Sequence, residues 1–278
     1  MSTELEAELQ GSDPTAVLRE FLSEAAPSSV YHLVDLPWPY IASLTEAATE
    51  FDPAELPELR LLGRRETLVS LRQSFLGAAR AANLVEADRL AVREREPTGD
   101  TPLIVGEERV HVPLLLDGTG AAVVATRGSF AEQAGESVAS AWEGGEPFSL
   151  RTPALERIRD TMASDLGSGL KEDFDQSLAR AATQRDPGDF EPVTAAVVVA
   201  AANGTLHYDL SRWGESVGLA SKATFSRRKG ELEDMDVITT EKVPVEMGRP
   251  RQRLHLTDEY DSKLGDHGVD ELVARIAG

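Results

Sequence analysis

The chain has no cysteine among its 278 residues. Disulfides, thiolate metal sites and cysteine nucleophiles are therefore excluded. Lysine is nearly as scarce: of 28 basic residues, 5 are Lys and 23 are Arg. No apolar run approaches the roughly 20 residues that a membrane span requires. The stretch MSTELEAELQ is acidic and lacks the basic and apolar regions of a secretory leader. These absences lead to the expectation of a soluble, cytoplasmic protein with no membrane partner.

What is abundant is acid. With 48 Asp and Glu, the formal net charge is −20. The acids are spread along the chain rather than gathered in a tail, which predicts an acidic surface throughout. High net charge keeps a protein soluble at the expense of self-repulsion, a lever that halophiles use. The composition reads as that of a halophile's protein, with an ordinary acidic protein as the plainer alternative. The length corresponds to about two domains and suffices for a core without covalent staples.

The charge is unevenly placed. Residues 1–189 hold 17 bases and 33 acids, whereas residues 190–260 hold 9 and 11, and residues 261–278 hold 2 and 4. Within the nearly neutral part, Ser221–Gly230 (SKATFSRRKG) has four bases and no acid, and Met247–Leu256 (MGRPRQRLHL) has three Arg and no acid. Basic clusters on an acidic background point to an anionic partner.

Residues 184–192, QRDPGDFEP, read as a linker. Before it, helix and strand patterns alternate. Thr15–Ala25 is expected to be helical behind the cap Asp13 and Pro14. Val30–Leu36, Leu59–Leu62, Leu90–Glu96, Pro102–Val105, Val110–Leu116 and Ala121–Thr126 read as strands, the last two joined at Asp117-Gly118-Thr119-Gly120. Trp38–Glu50, Glu66–Val85 and Phe130–Trp142 read as helices. The pattern is that of an α/β domain with an antiparallel element near its end. Between residues 153 and 182, Leu155, Ile158, Met162, Leu166, Leu170, Phe174 and Leu178 form one apolar stripe. That stripe either packs on its own domain or joins two copies of the chain.

Residues 191–257 carry the most specific pattern. Pro192–Ala202 reads as an apolar helix stopped by Asn203-Gly204. Thr205–Tyr208 reads as extended, and Asp209 as the cap of a helix ending at Gly218. Ser221 caps the next helix, Lys222–Met235. Val237–Thr240 and Arg251–Thr257 read as strands flanking a turn with Gly248 and Pro250. This order is that of a winged helix-turn-helix, with Val217-Gly218-Leu219 at its tight corner. On the third helix, Phe225 and Leu232 are seven residues apart and face inward. Lys222, Thr224, Ser226, Arg227 and Arg228 are candidate donors to phosphates or base edges of double-stranded DNA. Arg249, Arg251 and Arg253 on the wing suit backbone or minor-groove contacts. The plainer readings are a solvated basic face paired with the protein's own acids, or a protein-interaction module. Trp213 and Phe225 read as core, and Lys229 as a half-buried stem with its head outside.

Ser221–Ile238 with Gly248-Arg249-Pro250 resembles the winged helix of archaeal transcriptional regulators. The whole arrangement is similar to the haloarchaeal TbsP regulator family, with shorter stretches such as Leu103–Val112 and Ser129–Trp142 matching in the N-terminal part. That part also resembles, more weakly, the phospholipase-D-like effector domains of archaeal sugar-responsive regulators. The resemblance implies a homodimeric regulator of metabolic genes. It does not fix a promoter or an effector.

Catalytic signatures are missing. The residues two beyond His32, His111, His207, His255 and His267 are Val34, Pro113, Asp209, Thr257 and Val269, so the His-x-Lys motif of phospholipase D is absent. No His pair has zinc-ligand spacing, and there is no phosphate-binding Gly-x-x-x-x-Gly-Lys motif and no Gly-x-Ser-x-Gly. No cofactor, metal or catalytic residue is expected. In the N-terminal domain, Pro37-Trp38-Pro39-Tyr40 follows a strand, where α/β domains keep binding sites. Arg64 and Arg65 follow the next strand and are candidates for an anionic metabolite; alternatively they pair with surface acids. The expected organisation is an α/β effector or interaction domain (1–150), a helical connector and dimerisation segment (151–189), a winged helix-turn-helix (190–260) and a C-terminal helix (261–278). The expected function is sequence-specific DNA binding by a homodimeric regulator. The rivals are a winged-helix interaction module in a larger assembly and an α/β enzyme with an appended winged helix.

Overall fold

The computed structural model describes residues 9–10, 13–96, 101–116, 119–125, 129–183, 190–244 and 250–277. The chain divides into two units, Met1–Gln73 with Gly77–Arg151, and Ser74–Leu76 with Thr152–Gly278.

The first unit runs β1 (Leu9–Gln10), α1 (Pro14–Glu24), β2 (Val30–Val34), α2 (Trp38–Ala47), β3 (Glu58–Gly63), α3 (Arg65–Gln73), α4 (Phe75–Glu86), β4 (Leu90–Glu94), β5 (Leu103–Val105), β6 (Val110–Leu116), β7 (Thr119–Ala125), α5 (Ser129–Gly144) and β8 (Glu146–Pro147). The eight strands form one sheet in the order β1-β7-β6-β5-β2-β3-β4-β8. Strands β2, β3 and β4 are parallel, and the other pairings are antiparallel. The register aligns Leu33, Leu61 and Val92 across the parallel strands, and all three are buried. Burial of this kind is what a parallel sheet covered by helices requires. The Asp13 carboxylate accepts the Ala16 N–H at 2.9 Å, which explains where α1 begins. The helix expected over Glu66–Val85 is two helices, separated at Ser74. The apolar spacing of Leu68, Leu71, Phe75, Ala78 and Ala82 runs through the break, so periodicity alone does not show it.

The second unit runs α6 (Leu155–Asp165), α7 (Ser168–Ala182), α8 (Pro192–Ala202), α9 (His207–Val217), α10 (Lys222–Asp234), β9 (Ile238–Val243), β10 (Arg251–Leu256), α11 (Asp258–His267) and α12 (Val269–Ala277). Its centre is α8, in which every residue from Val193 to Ala201 is buried. A helix that is apolar all round needs cover on every side, and α7, α9, α10, α12 and β10 provide it. That cover overrides the modest helix propensity of three successive valines. The single C-terminal helix expected over residues 261–278 is two, separated by Gly268.

Six of the seven residues of the apolar stripe between residues 153 and 182 are buried inside this unit, and Leu166 is half-buried. Leu155, Ile158, Met162, Leu170, Phe174 and Leu178 are all buried, because α6 packs on α9 and α7 packs on α8 and α12. Of the two readings of the stripe, packing within its own domain is the one seen: its apolar face has a partner within its own chain.

Candidate nucleic-acid interface

Helices α9 and α10 are joined by a four-residue corner that the sequence builds locally. Gly218 closes α9 with φ +84°, a left-handed conformation that glycine adopts at little steric cost. Ser221 Oγ then accepts the Thr224 N–H at 3.2 Å and opens α10. The two helices approach closely at Gly214, where a Cβ would lie 2.2 Å from Phe225 Cε2. Phe225 and Leu232 turn inward and are buried, as is Trp213, whose Nε1 donates to Thr161 Oγ1 at 2.9 Å. The remaining face of α10 is directed outward.

The start of α9 differs from expectation. The helix begins at His207 rather than after Asp209, because Leu206 and Thr205 pair with β10. Leu206 bridges Arg253, and the Leu254 N–H donates to the Thr205 carbonyl at 2.9 Å. Strands β9 and β10 form an antiparallel hairpin with Ile238 opposite Leu256 and Val243 opposite Arg251.

The expected contact residues separate into three groups. Ser226 and Arg227 stand exposed on the outer face of α10, with the Arg227 side chain 70% accessible and Glu231 3.9 Å away. Lys222 is also exposed but paired with Glu215 at 2.7 Å. That hydrogen bond, followed by one from the Lys222 backbone N–H, holds the Glu215 carboxyl below the usual carboxylate range. Thr224 and Arg228 are half-buried. Thr224 completes the Ser221 cap at 3.0 Å, and Arg228 reaches both Glu191 and Glu231 at 2.8 Å. Lys229 is 12% accessible and bonded to Glu233 at 2.9 Å, its stem buried and its head held by the protein itself. The sequence shows no acid from Ser221 to Gly230, yet the fold brings Glu191 and Glu215 to this stretch from other elements.

On the hairpin, Arg253 is turned to an internal task. Its Nη1 donates to the Gly204 carbonyl at 2.7 Å, capping the end of α8. Arg251 lies 4.3 Å over the Tyr208 ring and 3.4 Å from Asp209. Arg249, like Gly248, lies outside the described residues. Sequence reasoning missed Tyr208, Arg212 and Lys242, three exposed side chains of this unit. The helical spacing of Tyr208 and Arg212 was the available signal for the first two.

In the first unit, Arg64 Nε is 3.8 Å from Asp35, whose side chain is 3% accessible and also held by Arg95. Arg65 pairs with Glu94 at 3.1 Å. Tyr40 is buried in the core rather than lining a site. Among the described residues, no group of three or more His, Asp or Glu is placed to hold a metal ion, and no helix is long and apolar enough to cross a membrane.

Comparison with known proteins gives one consistent answer for both units. Residues 6–153 match the family described as "Transcriptional regulator TbsP-like, N-terminal", and residues 154–277 match "Transcriptional regulator TbsP-like, C-terminal HTH domain". No curated protein matches the sequence significantly. Among solved structures, TrmBL2, described as an archaeal chromatin protein with a novel mode of DNA binding, is 18% identical at a TM-score of 0.38. The match covers 52% of this chain and 56% of TrmBL2. Nuc, a phospholipase D family member from Salmonella typhimurium, is 11% identical at a TM-score of 0.35, covering 52% of this chain and 99% of Nuc.

Proposed function

We propose that this chain, which belongs to the family of TbsP-like transcriptional regulators, is a sequence-specific regulator that reads double-stranded DNA through a winged helix-turn-helix. The observation that carries the reading is the outer face of α10. It presents Ser226 and the largely exposed Arg227 beside Lys222, behind a helix crossing made rigid by Gly214 and Phe225. Arg227, exposed and 3.9 Å from Glu231, can make a bidentate contact with a guanine edge, the commonest specific contact in the major groove. Lys222, Arg251 on the hairpin and Arg249 serve the backbone. The Lys222–Glu215 pair is exposed on both sides, and water and salt screen such pairs strongly, so a phosphate displaces the carboxylate at little cost.

The protein acts in the cytoplasm of a haloarchaeon, as a homodimer on promoters of metabolic genes. A dimer matches paired half-sites one helical turn apart, and its interface lies away from the buried α6–α7 stripe. A second reading, a protein-interaction module, draws support from the acids that hold Lys222 and Arg228. The exposure of Arg227 favours DNA. An anionic effector near Arg64 and Arg65 would have to compete with Asp35 and Glu94. Selection of duplexes from a random-sequence pool by the purified chain in molar salt tests the reading. Enrichment of one motif with two-fold symmetry is expected, and recovery of no motif would refute it.

A further inference from the structure

Outside α10, an exposed aromatic–cation group brings together the start of α9 and the start of β10. Tyr208 stands in the first turn of α9 with 44% of its surface accessible. The Arg251 guanidinium, at the start of β10, lies 4.3 Å over its ring. Arg212, four residues after Tyr208, shares its face of the helix. It is exposed and makes no ion pair among the described residues. In this second unit Lys222, Arg227, Arg228 and Lys229 all have a carboxylate partner. Arg212, like Lys242 of β9, is exposed without such a partner among the described residues, on a chain whose net charge is −20.

We propose that Tyr208, Arg212 and Arg251 form a second anchor for double-stranded DNA, gripping a backbone phosphate beside the groove that α10 enters. The proposal rests on the reading of α10 given above. In a helix-turn-helix, the helix that precedes the recognition helix crosses the backbone, and α9 holds that position. The ring of Tyr208 supports the planar guanidinium of Arg251, so less side-chain freedom is lost when a ligand binds. A guanidinium has five N–H donors. The contact with Asp209, at 3.4 Å, is longer than a strong charge-assisted bond. Asp209 is thus a loose occupant of a place that fits a phosphate oxygen. Because Arg251 is held against the body of the domain by the Tyr208 ring, it positions the duplex rather than reads it.

The experiment uses the full chain, with the duplex that wild type selects from a random pool and a scrambled duplex of the same composition. Binding is followed by fluorescence anisotropy over a range of salt. Arg212→Ala and Arg251→Ala should each weaken binding about ten-fold on both duplexes, the scale of a lost charged hydrogen bond. Each should also reduce the salt slope by about one. Tyr208→Leu should weaken both by about three-fold, as for an exposed cation–π contact, while Tyr208→Phe, which keeps the ring, binds like wild type. Asp209→Asn should bind more tightly, since a competing anion is gone. Circular dichroism verifies the fold of each variant. Wild-type-like binding by both Tyr208→Leu and Arg212→Ala, or weaker binding by Asp209→Asn, would overturn the anchor alone. A wild-type chain that binds neither duplex overturns it together with the reading of α10.

Discussion

Gly214 fixes how α9 and α10 cross, and replacing it with Ala tests that geometry directly. The added Cβ would stand 2.2 Å from Phe225 Cε2 and 2.4 Å from Cζ, whereas carbon atoms settle at about 3.5–4.0 Å. Phe225 is fully buried, so its ring has no open space into which to retreat by the required ångström or so. Overpacking of this kind costs about 3 kcal/mol at the upper end of its usual range. The better helix propensity of Ala returns about 1 kcal/mol. The net loss is about 2 kcal/mol, or a fall of about 8 °C in the melting of the second unit. Gly230→Ala is the matched control. Gly230 lies in α10 with nothing within 4 Å of its would-be Cβ, so that change should stabilise by about 0.5–1 kcal/mol. Calorimetric melts of the three proteins at one salt concentration provide the comparison. Gly214→Ala melting at or above the wild-type temperature would refute the close crossing. A displaced α10 should also lose affinity for the selected duplex.

Two further outcomes are expected. Burial, and then Lys229, push the His207 pKa below its ordinary value, so the folded state favours the neutral ring. Stability should be complete above about pH 6.5 and fall as the pH drops below it, where the unfolded chain takes up a proton that the folded chain refuses. Urea midpoints between pH 8 and 5.5 should show this slope, and His207→Gln should flatten it; an unchanged slope would contradict the burial. Phe174→Ala should cost about 3–5 kcal/mol while leaving the association state, measured by sedimentation, unchanged. A shift from dimer to monomer in a folded Phe174→Ala would instead return the α6–α7 stripe to a dimer interface.

The parts of this fold legible in the sequence are those written in local chemistry. Asp13 and Ser221 as caps, Gly204 and Gly218 as stops, and Phe225 and Leu232 as the inner face of α10 are all set by neighbours within a few residues. The rest depends on contacts distant in sequence. Asp209 looks like a helix cap, but the pairing of Leu206 with Arg253 moves the cap of α9 to Leu206, three residues earlier. Arg253 looks like a wing contact until Gly204, 49 residues away, is placed beside it. Glu191, 37 residues from Arg228, neutralises a base that appears free in its own segment. An apolar stripe shows which face is buried but not what covers it, so α6 and α7 read equally well as a dimer interface. The order of the strands in the first unit has no local signal at all.

The central claim is that α10 reads base sequence, and Arg227 is the residue that decides it. The direct measurement is the affinity of wild type and Arg227→Ala for the selected and scrambled duplexes, by anisotropy in molar salt. The account predicts a loss of about 1–3 kcal/mol on the selected duplex, a much smaller loss on the scrambled one, and relaxed preference at one base pair. Equal losses on both duplexes would make Arg227 a backbone contact. No loss on either, with the fold intact, would contradict the account.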